Sequence, residues 1–360
     1  MLKISNLRLA SHSDSIVNEK PIYSCKREDY KLKKIIGHGS SSVVFEATNC
    51  NTPIRSTCAV KVIELDKFEL NIANIRRETH IMSLSKHQNV LPILDCWIEG
   101  SKLHLVSKLM KAGSALDILQ NSYPEGIEEI AIATILKQAL QGLHYLHNSG
   151  WLHRDIKASN LLIEEDGTVL LADFGVGTIL EEGEKINVKE QDNSKLKRRR
   201  SFVGTVSFFF LSFLDFIFTD IWSFAITSIE LATGKHPNSD KNPVKAMMEI
   251  LKGNYPTLHR FNGPNKYSQS FVDMIESCLQ KDPNKRPTAA RLLKHSFFNK
   301  AKSKSVLKKL IIGCSKNRNE KFTFTLPSNN LTKSFQCIPW DFDSDATIVS
   351  QDTNAKKMIS

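Results

Sequence analysis

Between residues 30 and 63 short apolar runs alternate with polar breaks. "YKLKKIIGHGSSSVVFEATNC" and "TCAVKVIEL" are rich in β-branched residues and interrupted by Gly and Asn, which predicts strands joined by tight turns. From 71 to 86 the period changes, and Ile72, Ile75, Thr79 and Met82 recur at helical spacing. Short strands resume around 93 to 107. Helices are then predicted over 114 to 121, 128 to 149, 220 to 233, 243 to 252, 268 to 279 and 288 to 294. The pattern as a whole predicts an α+β protein, with a small β-rich lobe followed by a larger helical one. Periodicity fades from about 300 onward. Residues 315 to 360 are polar, rich in Asn, Ser, Lys and Asp, and are expected to be disordered or loosely docked.

Composition narrows the setting. With 360 residues, 41% of them hydrophobic, the chain can bury a real core in one large domain or two lobes. Its seven cysteines (25, 50, 58, 96, 278, 314 and 337) form no C-x-x-C pair and no metal-like spacing. Residues 1 to 29 hold no signal-peptide h-region, so a reduced cytoplasmic or nuclear location is expected. The net charge of +11 is concentrated in "KLKRRR" (195 to 200) and "KAKSKSVLKK" (300 to 309). Neither run is interleaved with aromatics that could stack on bases, so solvated basic loops are expected and nucleic-acid binding is not. The longest apolar run, 206 to 214, falls far short of the ~20 residues of a membrane-spanning helix, and no membrane span is expected.

Five polar elements follow one another along this frame. Gly37-His38-Gly39-Ser40-Ser41-Ser42-Val43-Val44 lies between two strand-like runs, where glycines let backbone N–H groups approach phosphates; alone, it is equally a hairpin turn. Cys58-Ala59-Val60-Lys61 places a lysine on a strand among apolar neighbours, and Glu78 on the helix at 71 to 86 is able to pair with it. A lone Lys and Glu would be surface residues. Next come His153-Arg154-Asp155-Ile156-Lys157-Ala158-Ser159-Asn160 and Asp173-Phe174-Gly175. Their common order and separation point to one chemistry.

Taken together the five elements resemble the eukaryotic protein kinases over about residues 30 to 298. The resemblance implies a two-lobed kinase fold with ATP between the lobes, the N-lobe at about 30 to 108 and the C-lobe at about 111 to 298. An N-terminal extension (1 to 29) precedes it, and a basic, then polar, tail (299 to 360), largely disordered, follows. It implies that Gly37, Gly39, Val44 and Ala59 enclose the nucleotide, with Ser42 where the G-x-G-x-x-G-x-V pattern has its third Gly. Lys61 would hold the α- and β-phosphates, fixed by Glu78. Ser107 would be the gatekeeper, smaller than is usual, ahead of the adenine-binding hinge at Leu109 and Met110. Asp173 and Asn160 would bind Mg2+. Asp155 would accept the substrate hydroxyl proton, and Lys157 would neutralise charge on the transferred group. Lys157, two residues after Asp155, matches the serine/threonine-specific pattern.

More closely, "FVGT", "ADFGVG", "DIWSF", "IELATGKHP" and "CLQKDPNKRPTAARLLKHSFFNKAK" resemble the sterile-twenty-like kinases of the germinal-centre group, nearest the Frayed or oxidative-stress-responsive subgroup. That subgroup usually adds a docking domain for R-F-x-V peptides; about sixty residues follow the kinase-like region, so this function is not carried over. Ser201 aligns with the activation-loop phosphosite, which makes an upstream kinase an expected partner; Arg154 aligns with the arginine that pairs with the phosphate, and Thr205 should sit near Asp155 and Lys157.

One stretch departs from the family. After "GT" a P-C-W-M-A-P-E-type segment is absent, and residues 206 to 219 carry six Phe in its place (208, 209, 210, 213, 216 and 218). The Glu of that segment pairs in related kinases with an arginine matched here by Arg286. A buried charge left unmet would cost on the order of 3–5 kcal/mol. Three readings of the stretch compete: an extra core strand, a membrane-contacting hairpin, and a translated intron, since pyrimidine-rich codons encode Phe, Leu and Ser and Val206-Ser207 can be written as a splice donor. The expected function is ATP- and Mg2+-dependent phosphorylation of serine or threonine on protein substrates in a signalling cascade of the stress or osmotic kind. The alternative is a pseudokinase-like scaffold whose substrate-positioning loop is impaired.

Overall fold

The computed structural model describes residues 26–39, 42–51, 56–65, 79, 82–174, 217–237, most of 239–258, and 267–315. The small lobe is a five-stranded antiparallel sheet of β1 (Tyr30–His38), β2 (Ser42–Asn49), β3 (Ser56–Glu64), β4 (Ile93–Glu99) and β5 (Lys102–Lys108), in the order β1-β2-β3-β5-β4. The period-2 alternation splits each strand between two faces. Cys58, Val60 and Val106 pack with Tyr30, Ala47 and Trp97 in a core of their own. There the Trp97 ring lies between Tyr30 and His104, with centroids 5.1 and 4.7 Å away. On the opposite face are Ala59 and Lys61, whose cross-strand partners are Ser107 and Leu105 of β5. Val44 of β2 is also paired with Lys61, so the strand register alone gathers these residues at one place.

The large lobe is helical. Helix α1 (Ala115–Ser122) opens on a capping box: Ser114 Oγ accepts the Asp117 N–H (3.1 Å) and Asp117 Oδ2 accepts the Ser114 N–H (2.7 Å). Helix α2 (Glu129–Asn148) buries Ile132, Ile135, Leu136, Ala139, Leu140 and Leu143 against the core. A two-stranded hairpin, β6 (Leu161–Ile163) and β7 (Val169–Leu171), lies beside it. Helix α3 (Ile217–Thr233) is buried at every position from Asp220 to Ala232, which is why its sequence is apolar all round. Its polar residues are met internally: Thr227 and Ser228 donate to the carbonyls of Ser223 and Phe224, four residues back (2.8 Å each). Helices α4 (Gln269–Cys278), α5 (Ala289–Leu292) and α6 (Leu307–Ser315) complete the lobe.

Two expectations from the sequence are modified, and a third lies largely outside the described residues. Helix α3 begins at Ile217, three residues before the anticipated start, so the last three residues of the segment 206–219 are its first turn. The helix expected at 71–86 lies largely outside the described residues, although 82–84 are helical. Within the tail Leu307–Ser315 form a helix: Leu307 is fully buried, Leu310 nearly so, and Ile311 packs on the same core. That spacing is one helical face, masked in the sequence by the lysines around it.

Candidate active site

The β1–β2 turn brings Gly37 opposite Val44, and the Gly39 N–H donates to Ser42 O (2.7 Å). A Cβ on Gly39 would come within 2.8 Å of Ser42 Oγ, so the serine in place of a third glycine is accommodated by the glycine facing it. Across the cleft, Lys61 Nζ lies 2.7 Å from Asp173 Oδ2. Asp173 has φ 64°, a left-handed conformation that a side-chain-bearing residue adopts at a cost of order 1–3 kcal/mol and that turns its carboxylate toward the strand above. Behind this pair lies a small pocket lined by Met82, Leu91, Ile93, Leu105, Ser107 and Phe174 together with Lys61 and Asp173 themselves. Met110, buried, joins Leu91, Leu170 and Ala172 in a small apolar cluster beside it, and Leu109 is half-buried.

Residues 153–160 form a loop closed on itself. Asp155 Oδ2 accepts from Lys157 Nζ (2.7 Å) and from Asn160 Nδ2 (3.1 Å), and Asn160 Nδ2 also reaches Asp155 O (2.7 Å). The Asn160 carbonyl in turn accepts the Ala172 N–H (2.9 Å), joining this loop to the strand end that carries Asp173. Arg154 has φ 68°. Its N–H donates to Asp220 Oδ1 (2.6 Å) and that of His153 to Asp220 Oδ2 (2.9 Å), while His147 Nε2 meets the same Oδ2 (2.9 Å). Burial would raise the Asp220 carboxyl, but the hydrogen bond and charge of His147, with His153, outweigh it and hold it below the usual range. Glu230, also on α3, accepts the Ala158 N–H (3.2 Å), and burial pushes its carboxyl up. Burial likewise favours a neutral His153.

Asp220 and Glu230 are functional in this sense, and motif reading overlooks both. The available signal was two acids in a helix otherwise apolar, "DIWSFAITSIEL", where an unpartnered carboxylate would be very costly.

Arg286 is 3% exposed. It donates Nε to Gln280 O and Nη1 to Phe218 O (2.8 Å each) and lies 4.8 Å from the Trp222 ring centroid. Two main-chain carbonyls and an aromatic face thus meet the charge in part. Nη2 has no hydrogen-bond partner among the described residues. Burial draws the guanidinium down to about 10, which leaves it charged at neutral pH.

Lys61, Ala59, Val44, Ser107 and Asp173 are therefore adjacent across the cleft, and Asp155, Lys157 and Asn160 form one cluster below it. Glu78, Ser201, Thr205 and residues 206–216 lie outside the described residues. Among the described residues no group of three or more His, Cys, Asp or Glu could hold a metal ion, and no helix is long and apolar enough to cross a membrane.

Residues 30–298 match the protein kinase domain family. The chain is 38% identical over 291 residues to the serine/threonine-protein kinase fray2 of Dictyostelium discoideum, covering 79% of this chain and 27% of that protein. It is 38% identical over 297 residues to germinal center kinase 3 of Caenorhabditis elegans, covering 77% and 48%. With the serine/threonine-protein kinase ppk11 of Schizosaccharomyces pombe identity is 32% over 326 residues, covering 88% and 98%. The chain thus spans about a quarter to a half of the first two relatives and nearly all of the third.

Proposed function

The chain belongs to the protein kinase family, in the germinal-centre branch of its sterile-twenty-like group beside the Frayed kinases, and on that footing we propose that it transfers the γ-phosphoryl group of ATP to serine or threonine hydroxyls of proteins. The observation that carries the proposal is the joined pair of clusters: Lys61 on Asp173 above, Asp155 with Lys157 and Asn160 below, linked through the Asn160 carbonyl and the Ala172 N–H.

Each side chain has a part in this reading. Lys61 orients the α- and β-phosphates from the strand above. Asp155, held by Asn160 and Lys157, accepts the proton of the substrate hydroxyl and aims its oxygen, and Lys157 stabilises charge on the transferred group. Protein kinases as a family use Mg2+, which when bound neutralises the phosphate oxygens. Asp173 and Asn160 would hold it here: Asn160 donates its amide N–H to Asp155, which leaves the amide oxygen as a hard ligand, and Asp173 offers a carboxylate. Little covalent work falls to the protein, so positioning and charge supply the rate.

Ser201 is proposed as the site where an upstream kinase acts, its phosphate paired with Arg154, and the setting as a cytoplasmic or nuclear signalling cascade. The rival reading, a scaffold that binds nucleotide without transfer, is not favoured by relatives that are named kinases.

The test is transfer of label from ATP to a generic basic protein, run beside a nucleotide-dependent thermal shift. Lys61→Met and Asp173→Ala should each abolish transfer, because each removes a charge facing phosphate or metal. Undiminished transfer in either variant would sink the assignment. A thermal shift without transfer in the unaltered chain would leave the scaffold standing.

A further inference from the structure

Beyond residue 298, where the family match ends, the chain packs against α2 and the loop between β6 and β7. Lys302 donates its main-chain N–H to Thr134 Oγ1 on α2 (3.1 Å). The turn that follows, Lys304–Val306, lies across the loop between β6 and β7. There Lys304 Nζ contacts Asp166 Oδ2 and Thr168 Oγ1, the latter at 2.8 Å. Gly167 sits under the Lys304 carbonyl so closely that a Cβ would come within 2.0 Å of the oxygen, and its φ is 87°. Both the approach and the turn require glycine. Leu307, fully buried, and Leu310 fasten this segment to the large lobe. The hydrogen bonds from Lys304 and Thr168 hold the Asp166 carboxyl well below the usual range.

The loop gripped in this way leads directly to Asp173. From its other side, Gln138 Oε1 accepts the Val169 N–H (3.1 Å) and Gln138 Nε2 donates to Gly167 O (3.2 Å). Asn89, in the loop ahead of β4, donates Nδ2 to Val169 O (2.8 Å). The Asn89 carbonyl receives the Leu171 N–H (2.9 Å), and Ala172 then bonds to Asn160. Strand β7 is therefore fixed on successive main-chain groups by the small-lobe loop and by α2, the loop ahead of it is held by Lys304 through Asp166 and Thr168, and the next residue but one is Asp173.

We propose that residues 302–310, acting through Lys304, form a clamp that sets the position of Asp173 and with it the affinity for metal-bound nucleotide. Lys304 is a positioning residue; it touches neither phosphate nor metal. The proposal rests on the kinase reading of Asp173. It differs from a plain brace in what it moves: Lys304 and Asp166 are each about half exposed, so their pair adds little to global stability.

The experiment compares the full chain with Lys304→Met and Lys304→Arg by hydrogen exchange over residues 161–174 and by calorimetric titration with ATP, with and without Mg2+. Lys304→Met should exchange faster at Val169 to Ala172. It should lose up to about fivefold in affinity for Mg·ATP, the most that a half-exposed pair supplies, with metal-free ATP unaffected. Lys304→Arg should restore both. Unchanged exchange overturns the clamp. Faster exchange with unaltered Mg·ATP affinity overturns the positioning role. A wild-type chain that binds no Mg·ATP overturns instead the kinase reading, and the exchange comparison still decides whether Lys304 holds the hairpin.

Discussion

Ser107 shows how one side chain shapes a site. Besides Lys61 and Asp173 its neighbours along the pocket, Met82, Leu91, Ile93, Leu105 and Phe174, are apolar, and the short serine side chain fills little of the space between them. An adenine-site inhibitor with a bulky apolar group should therefore bind the natural chain. Ser107→Met should weaken it by roughly 5- to 150-fold, the equivalent of the 1–3 kcal/mol by which an overfilled cavity is disfavoured. Equal inhibition of both forms, read from competition with ATP, would show that the group does not enter this space. Ser107 could be singled out from sequence because the resemblance to kinases places the gatekeeper just before the hinge at Leu109 and Met110. Asp173 and Arg154 were legible as types, but their left-handed φ angles, 64° and 68°, were not. Those angles follow from partners distant in sequence: the Arg154 N–H is held by Asp220.

At the scale of the element, burial acts in opposite directions on two titratable groups of the small-lobe sheet, the buried His104 and the half-buried Asp95. Burial lowers His104 on β5 from 6.5 to about 4, so its 3.8 Å approach to Glu99 is not an ion pair at neutral pH. Burial raises Asp95 on β4 to about 6, against the Cys96 N–H that lowers it. The neutral imidazole is what the folded sheet accommodates, and the unfolded chain takes up its proton first. His104 therefore costs stability as pH falls from 6.5 toward 4, by on the order of 3 kcal/mol in all. Asp95 works the other way, since its neutral form is favoured in the fold and is reached on acidification. His104→Phe should accordingly gain stability relative to the natural chain between pH 7 and pH 5 in urea denaturation. A constant difference across that range would show that His104 does not titrate differently in the two states.

The elements themselves were largely legible. Periodicity placed α1, α2 and α4 within a residue of their observed ends, because each has one clear apolar face. It failed at α6, where only Leu307, Leu310 and Ile311 carry the face and five lysines surround them. It failed also at the start of α3, where Ile217 and Phe218 were assigned to the aromatic stretch ahead of the helix.

For the molecule as a whole, the nucleotide side of the cleft and the substrate side differ in how far they follow the family. Lys61, Asp173, Asp155, Lys157 and Asn160 sit together, whereas residues 206–216 stand where a P-C-W-M-A-P-E segment would supply the carboxylate for Arg286. Replacing 206–216 with such a segment should raise turnover far more than it changes ATP affinity, since a misplacement of about 1 Å costs ~100-fold in rate. Steady-state kinetics would show this as a change in kcat with KM for ATP nearly constant. Equal turnover in the two chains would make the Phe-rich stretch a working element.

Asp220 also bears on how the site comes into being. Its carboxylate holds the backbone of His153 and Arg154 across 67 and 66 residues of chain, and nothing local substitutes for it. Closing a loop of that length is an entropic cost met before the contact forms, and such non-local contacts are slow to assemble. The loop bearing Asp155 thus takes its shape only after α3 has docked beneath it. A newly made chain can be collapsed and helical, yet still without a site; catalytic competence waits on this closure, which makes activity a clock for the docking of α3.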